Sequence, residues 1–378
     1  MERVPGVVGE ALRPEAKCDV MEERLFIRAD ASPQIGTGHV MRCLALAQAW
    51  QDRGGRVSFV MVMEAPALES RLRSEGMEVV RLSADPGSVD DARQTAGLAQ
   101  KARSDWVVVD GYHFGADYQR VIKDHALRLL FIDDNEHADH YCADVVLNQN
   151  IYAQDGWYAS REPHTQPLLG TRYALLRREF LKWRGWNRET PEVAGKVLVT
   201  LGGGDVEGVT LKVIRALQRL KVAELEATVV VGGSSRHGKE LQSAVRGLRF
   251  SFRLERDVKS MPELMAWADL AVSAGGSTCW ELAFMGLPAC VLVLAENQER
   301  NVSALGLRAQ VVDLGRAADV SEERISGEIE GLMTDRPRRQ GMSEQGRALV
   351  DGGGARRVVR VMKERCQCLS MKTRGRTL

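Results

Sequence analysis

Two successive series of short apolar segments, each alternating with stretches of helical pattern, constrain the fold of this 378-residue chain more than any other feature. In the first series the apolar segments fall at 24–29, 56–62, 77–81, 106–110, 127–132 and 144–147. The run Trp106-Val107-Val108-Val109 is apolar throughout, and Val57-Ser58-Phe59-Val60-Met61-Val62 nearly so. A strand with one wet face alternates apolar and polar residues, so a continuous apolar run needs cover on both faces. Alternation with helices supplies that cover and predicts a parallel sheet between helix layers. A second series opens at Lys196-Val197-Leu198-Val199-Thr200-Leu201 and continues at 227–231, 250–254, 270–273, 289–294 and 310–313. The expected class is α/β, with two Rossmann-like, doubly wound parallel-sheet domains of similar size facing a cleft.

The break between the series lies within 168–195. There Leu168-Leu169-Gly170-Thr171-Arg172-Tyr173 is followed by Trp183-Arg184-Gly185-Trp186-Asn187-Arg188 and Pro191, which disturbs both periods. The expected division is a first domain over 23–180, a linker over 181–195 and a second domain over 196–350. A helix and a basic tail over 351–378 follow. Residues 1–22 carry Pro5, Gly6, Gly9 and Pro14 without a period and read as a disordered extension, with Met21 a second possible start. The charges Lys372-Thr373-Arg374-Gly375-Arg376 read as a solvated, disordered end.

Charge and cysteine usage narrow the function class. A formal net charge of +1 gives no pull toward nucleic acid. Seven cysteines are an odd set, none with zinc-ligand spacing to a second pair, and Cys366-x-Cys368 reads as part of the tail. No apolar run approaches the ~20 residues of a membrane span, and residues 1–22 lack the apolar core of a signal peptide. The expectation is a cytoplasmic protein acting on a small molecule, without a membrane span, a nucleic-acid partner or a metal. His113, His125, His137, His140, His164 and His237 show no metal spacing with matched carboxylates. His137 and His140, three apart, read as loop residues.

In doubly wound folds ligands bind beyond the carboxyl ends of the strands, so the cleft between two such domains is the place to look for chemistry. Gly36-Thr37-Gly38-His39 joins the first strand to the helical run beginning Val40-Met41-Arg42-Cys43. Its glycines admit close backbone approach, and a helix start offers free N–H groups. The positive helix end disfavours imidazolium, which suits His39 to act as a neutral general base. In the second half, Gly202-Gly203-Gly204-Asp205 and Gly275-Gly276-Ser277-Thr278 each follow a strand. Small and hydroxyl residues at a helix start fit a diphosphate, or else simple tight packing. Glu281, one turn further, is placed to take a ribose diol. Neither cluster is a Walker motif, and Gly36-x-Gly38 lacks the third glycine of the dinucleotide fingerprint. Asn297 and Gln298 lie in a polar run after a strand, and Asp110-Gly111-Tyr112-His113 and Asp133-Asp134 occupy similar places. The paired carboxylates could bind a metal, share a proton, or cap the next segment.

The order of these motifs resembles the UDP-sugar hydrolases of pseudaminic acid biosynthesis. The resemblance rests on Arg28-Ala29-Asp30 and Gly36-x-Gly38-His39-x-x-Arg42-Cys43-Leu44. It continues through Asp110-Gly111-Tyr112, Ile132-Asp133-Asp134, Asn148-Gln149-Asn150 and Leu169-Gly170-x-x-Tyr173-Ala174-Leu175-Leu176-Arg177-x-Glu179-Phe180. It ends with Gly202-Gly203-x-Asp205, Ser273-x-Gly275-Gly276-Ser277-Thr278-x-Trp280-Glu281 and Asn297-Gln298. It covers about 24–350. It implies the GT-B architecture, no cofactor, and cleavage of a UDP-linked 2,4-diacetamido-2,4,6-trideoxy-L-altrose at its anomeric carbon by water, with inversion. By the same resemblance His39 is the base and Tyr112 stands near the reacting centre. Gly276, Ser277, Thr278, Glu281, Asn297 and Gln298 then hold the nucleotide. The chain departs from the family where Asp110-Gly111-Tyr112 replaces a common Asp-His-Tyr, which bears on local substrate contacts. A glycosyltransferase or a non-catalytic UDP-sugar binder of the same fold remains an alternative. With His39 as base, activity should fall on the acid side near the free imidazole pKa of ~6.5 or lower, and a flat profile would direct attention to Asp30 or Asp110.

Overall fold

The computed structural model describes residues 23–32, 35–202, 208–222, 224–232, 240–241, 248–256, 258 and 260–374. The 1–22 extension and the Gly203, Gly204 and Asp205 part of one glycine cluster lie outside the described residues.

Each apolar segment of the first series is a strand: β1 (Arg24–Ala29), β2 (Arg56–Met61), β3 (Glu78–Arg81), β4 (Trp106–Asp110), β5 (Leu129–Ile132) and β6 (Val145–Asn148). A seventh, β7 (Gln166–Leu169), completes a parallel sheet of order β3-β2-β1-β4-β5-β6-β7. The second series gives β8 (Lys196–Thr200), β9 (Glu226–Val231), β10 (Ser251–Arg256), β11 (Leu270–Ala274), β12 (Ala289–Val293) and β13 (Val312–Arg316), in a parallel sheet of order β10-β9-β8-β11-β12-β13.

Alternate residues of each strand enter opposite cores, as the pleat requires. In the first sheet Leu25 and Ile27 pack with the helix Gly38–Gln51, while Phe26, Val107 and Val109 pack with Ala92, Ala96, Tyr118 and Ile122 on the other face. In the second, Val197 and Val199 meet Val213, Ile214 and Leu217, while Leu198 meets Cys279, Trp280 and Leu282.

Strand order reverses between β1 and β4 in one sheet and between β8 and β11 in the other. A crevice opens at such a switch point because the connections on either side leave to opposite faces. The two strand ends at the first crevice lead into Gly36-Thr37-Gly38-His39 and Asp110-Gly111-Tyr112. Those at the second lead into Gly202 and Gly275-Gly276-Ser277-Thr278.

The structure departs from the reading of the sequence in two places. Leu168 and Leu169, read as the start of the break, belong to β7. This is an edge strand, where Pro167 and its missing N–H are tolerated. The last helix, Gly354–Arg374, returns to the first domain, where Ala355, Val358, Val359 and Met362 pack into the core beneath the helix Gly38–Gln51. Lys372, Thr373 and Arg374, expected to be disordered, continue this helix, whereas Gly375 and Arg376 lie outside the described residues. The chain therefore passes between the domains twice. It leaves along Ala174, Leu176 and Phe180, which pack on the second domain, and comes back through Gly352 and Gly354. The two passages touch. A Cβ on Gly354 would lie 2.2 Å from the Ala174 carbonyl oxygen, and Arg357 donates to the Arg172 carbonyl at 2.7 Å.

Candidate active site

Gly36 closes the turn before the first helix. Its N–H donates to the Ser32 carbonyl at 2.8 Å, and its φ of +74° is one that a side chain disfavours. The turn delivers His39 into the first turn of the helix, 7% exposed at the cleft. Asp110 ends β4 directly beside Ala29 of β1, and its Oδ1 lies 2.7 Å from His39 Nδ1. Arg42, three residues after His39 and so on the same helix face, donates from Nε to Asp110 Oδ2 at 2.7 Å and from Nη2 to Oδ1 at 2.6 Å. The Cys43 thiol adds a donor at 3.3 Å.

Burial alone would raise the pKa of Asp110, but the charges and hydrogen bonds of Arg42 and His39 outweigh it and hold the carboxyl well below the usual carboxylate range. A carboxylate only accepts, so His39 Nδ1 carries the proton toward Asp110. Arg42 Nη2, 3.2 Å from that same nitrogen, is then a neighbour rather than a donor to it. In the neutral ring the lone pair is then on Nε2, the arrangement a general base needs.

Tyr112 stands edge-on to His39, with ring centroids 4.8 Å apart. Its hydroxyl donates to Asp134 Oδ2 at 3.1 Å and accepts from Asn297 Nδ2, across the cleft, at 2.7 Å. Burial, together with the negative charge of Asp134, pushes the phenol pKa up, so the hydroxyl keeps its proton. Arg42 Nη1 donates to Asp134 Oδ2 at 2.6 Å and Asn150 Nδ2 to Oδ1 at 2.8 Å. One guanidinium thus ties together the two carboxylates that position His39 and Tyr112.

The opposing wall is the start of the helix Thr278–Met285. Ser277, at its N-cap, makes no side-chain capping bond. Among the described residues no acceptor receives the amides of Gly276, Ser277 or Thr278. Ser277 Oγ lies 3.9 Å from where a Cβ on Gly38 would stand. Two helix starts therefore point at one space, and their partial positive charges make it a place for an anion.

The residues singled out from sequence divide in three. Gly36, Gly38, His39, Tyr112, Gly276, Ser277, Thr278 and Asn297 converge on the cleft. Gly275 and Gln298 shape its wall: a Cβ on Gly275 would fall 2.3 Å from Val302 Cγ2, and Gln298 Oε1 accepts the Leu294 N–H at 3.0 Å. Glu281 faces the passage between the domains, where its Oε1 accepts from Arg177 Nη2 at 2.8 Å. Burial raises the Glu281 pKa even against that arginine.

The paired aspartates separate. Asp133 caps the following loop, with Oδ1 accepting the N–H groups of Asn135 and Glu136 at 2.9 and 3.1 Å, while Asp134 enters the site. Asp30, a suspected alternative base, is a brace that accepts the Val62 and Met63 N–H groups at 2.8 and 3.0 Å and pairs with Arg28. Sequence reasoning assigned no role to Arg42 or Asn150 and took Asp134 only as half of a carboxylate pair. The three-residue step from His39 to Arg42 was the available signal for the first.

Residues 210–352 match the glycosyltransferase family 28 C-terminal domain. An uncharacterised protein of Methanocaldococcus jannaschii, MJ1062, is 25% identical over 285 residues, 73% of this chain and 56% of that protein. The chain thus spans little more than half the length of this relative. The UDP-2,4-diacetamido-2,4,6-trideoxy-beta-L-altropyranose hydrolase of Campylobacter jejuni is 26% identical over 293 residues, 77% of this chain and 98% of the enzyme. The resemblance read from the motifs therefore holds along most of the chain. Among solved structures, Acinetobacter baumannii MurG superposes with a TM-score of 0.63 at 17% identity, covering 90% of this chain and 99% of that one. The architecture is GT-B. No described helix is long and apolar enough to cross a membrane.

Proposed function

We propose that this chain is an inverting hydrolase of a UDP-linked 2,4-diacetamido-2,4,6-trideoxy sugar, the UDP-2,4-diacetamido-2,4,6-trideoxy-beta-L-altropyranose of pseudaminic acid biosynthesis. The observation that carries the reading is the His39–Asp110 pair, which turns Nε2 away from the carboxylate and opposite the helix start at Ser277. In this reading His39 Nε2 removes a proton from a water whose oxygen attacks the anomeric carbon. The bond from that carbon to the β-phosphate oxygen breaks, and UDP leaves with the bonding pair. The amides of Gly276, Ser277 and Thr278 receive the charge that develops on the diphosphate, and donors already aligned need no reorganisation. Tyr112, held by Asp134 and Asn297, sets the sugar against the base. Gly36 and Gly38 leave room for the reacting centre, and Gly275 and Gln298 hold the wall. Glu281, with Arg177 as its counter-ion, takes the ribose side. This route calls for no cofactor.

A second reading, transfer of the sugar to an acceptor hydroxyl, is favoured by the match of 210–352 to a glycosyltransferase domain. The same base would then deprotonate the acceptor. Purified protein given the UDP-sugar without acceptor separates the two. Hydrolysis requires UDP and free sugar in equal amounts, with the anomeric configuration inverted by proton NMR, and loss of both in His39→Ala. UDP release only on adding an acceptor would establish transfer. Binding without turnover, or equal release by His39→Ala, would remove the catalytic assignment.

A further inference from the structure

We infer a divalent transition-metal site, suited to Zn²⁺ or Co²⁺, at His140, Cys142 and Glu162, on the loops before β6 and β7. The sequence pairs His140 with His137 and finds no ligand spacing. The fold pairs it instead with residues 20 and more positions along. Tyr141 and Arg161 form a parallel bridge, with the Tyr141 N–H donating to the Ser160 carbonyl at 3.0 Å and the Glu162 N–H to the Tyr141 carbonyl at 2.9 Å. In extended chain, neighbours of a residue that points inward point outward together. Tyr141 is buried in the core, which sends His140 and Cys142 to the same side, beside Glu162.

A His140 ring nitrogen, Cys142 Sγ and a Glu162 carboxylate oxygen lie within 4.8 Å of one another, and His140 Nε2 and Glu162 Oε1 are 3.3 Å apart. Tetrahedral ligands at bond lengths of about 2.0–2.1 Å stand roughly 3.3–3.4 Å from each other. The His140 side chain is 30% exposed and that of Glu162 45%, so an ion can enter from solvent and keep a water as its fourth ligand. His140 Nδ1 lies 3.1 Å from Ser160 Oγ. An imidazole that donates from Nδ1 to this hydroxyl presents the Nε2 lone pair toward Glu162, the orientation seen for metal-bound histidines. Thiolate, imidazole and carboxylate together favour Zn²⁺ or Co²⁺ over Mg²⁺ or Ca²⁺, and their two negative charges balance the ion. Cys142 must lose its proton to bind.

Titration of the full chain with Co²⁺, followed by the thiolate-to-cobalt charge-transfer absorption, tests the site. The expected result is one ion per chain, displaced by Zn²⁺, with the band abolished in Cys142→Ser. Ser160→Ala should weaken binding about tenfold, as loss of an outer hydrogen bond to a ligand does. Glu162→Gln, a change at an exposed position, should weaken it further and serves if Cys142→Ser does not fold. A band of equal strength in Cys142→Ser or undiminished affinity in Glu162→Gln would overturn the assignment, as would no cobalt uptake at all. In that last case His140 and Glu162 are an ordinary ion pair.

Discussion

Asn297 of the second domain donates its side-chain amide to the Tyr112 hydroxyl of the first, 2.7 Å away, and that hydroxyl donates onward to Asp134. The cleft is thus closed by a hydrogen bond whose acceptor is itself held in place by a charge. Tyr112→Phe leaves Asp134 and Asn297 each one partner short. Losing a hydrogen bond to a charged group costs about 1.5–3 kcal/mol, so UDP release should fall about 10- to 100-fold. Asn297→Ala should lower it less, because the Asp134 contact survives. Steady-state UDP release of the two variants checks the order.

His39 and Asp110 should separate activity from stability. His39→Ala removes the acceptor nitrogen and leaves Arg42 paired with both carboxylates, so turnover is lost while the unfolding midpoint changes little. Asp110→Asn deprives Arg42 of a buried charge partner. Breaking a buried pair from one side costs about 3–5 kcal/mol, so this variant should lose both turnover and stability. Urea denaturation alongside activity distinguishes them, and equal stability of the two variants would contradict the network described.

Gly275 and Gly276 are adjacent and should behave oppositely. Gly275→Ala drives a methyl into Val302, and overpacking of this kind costs about 1–3 kcal/mol. A Cβ on Gly276 meets nothing within 4 Å, so Gly276→Ala should unfold like the parent yet show a raised KM where the diphosphate approaches. Thermal melts and KM values of the pair provide the check.

The pair His137 and Asp133 predicts a pH dependence of stability. Burial would lower the His137 pKa, but the Asp133 hydrogen bond and charge and the Phe114 carbonyl outweigh it, so the imidazole pKa is raised. A raised pKa means that this stabilisation is complete below the unfolded value of ~6.5 and is lost as pH rises through the folded value. Asp133, held below its ordinary range by the same bonds although burial opposes them, loses its contribution on the acid side, below an unfolded value of ~3.9. The stability gap between the parent and His137→Gln should therefore be widest near pH 5–6 and shrink toward pH 8. Urea unfolding at a series of pH values measures it.

The strands were legible because parallel sheets covered on both faces write themselves as unbroken apolar runs. β7 was not, since Gln166-Pro167-Leu168-Leu169 is short and carries a proline that only an edge position explains. The return of the helix Gly354–Arg374 to the first domain was also hidden, because an apolar stripe records that a helix packs and not on which core. In the site, His39, Tyr112 and Ser277 could be named from their places after strands. The role of Asp110 depends on the register that sets it beside Ala29, and a sequence does not print register between residues 81 positions apart. Gly275 and Gly276 look alike as letters, and only the packing of Val302 tells them apart.

The double passage of the chain between the domains limits how the cleft can work. A single connection would let one half swivel freely against the other, whereas two strands of backbone in contact, at Ala174 and Gly354, act as a door hung on one pin. Any displacement of one half against the other would have to pivot there and would break the hydrogen bond from Asn297 to Tyr112. The backbone crossing at Ala174 and Gly354 and the hydrogen bond from Asn297 to Tyr112 thus set the spacing between His39 and the helix start at Ser277 from two separate points.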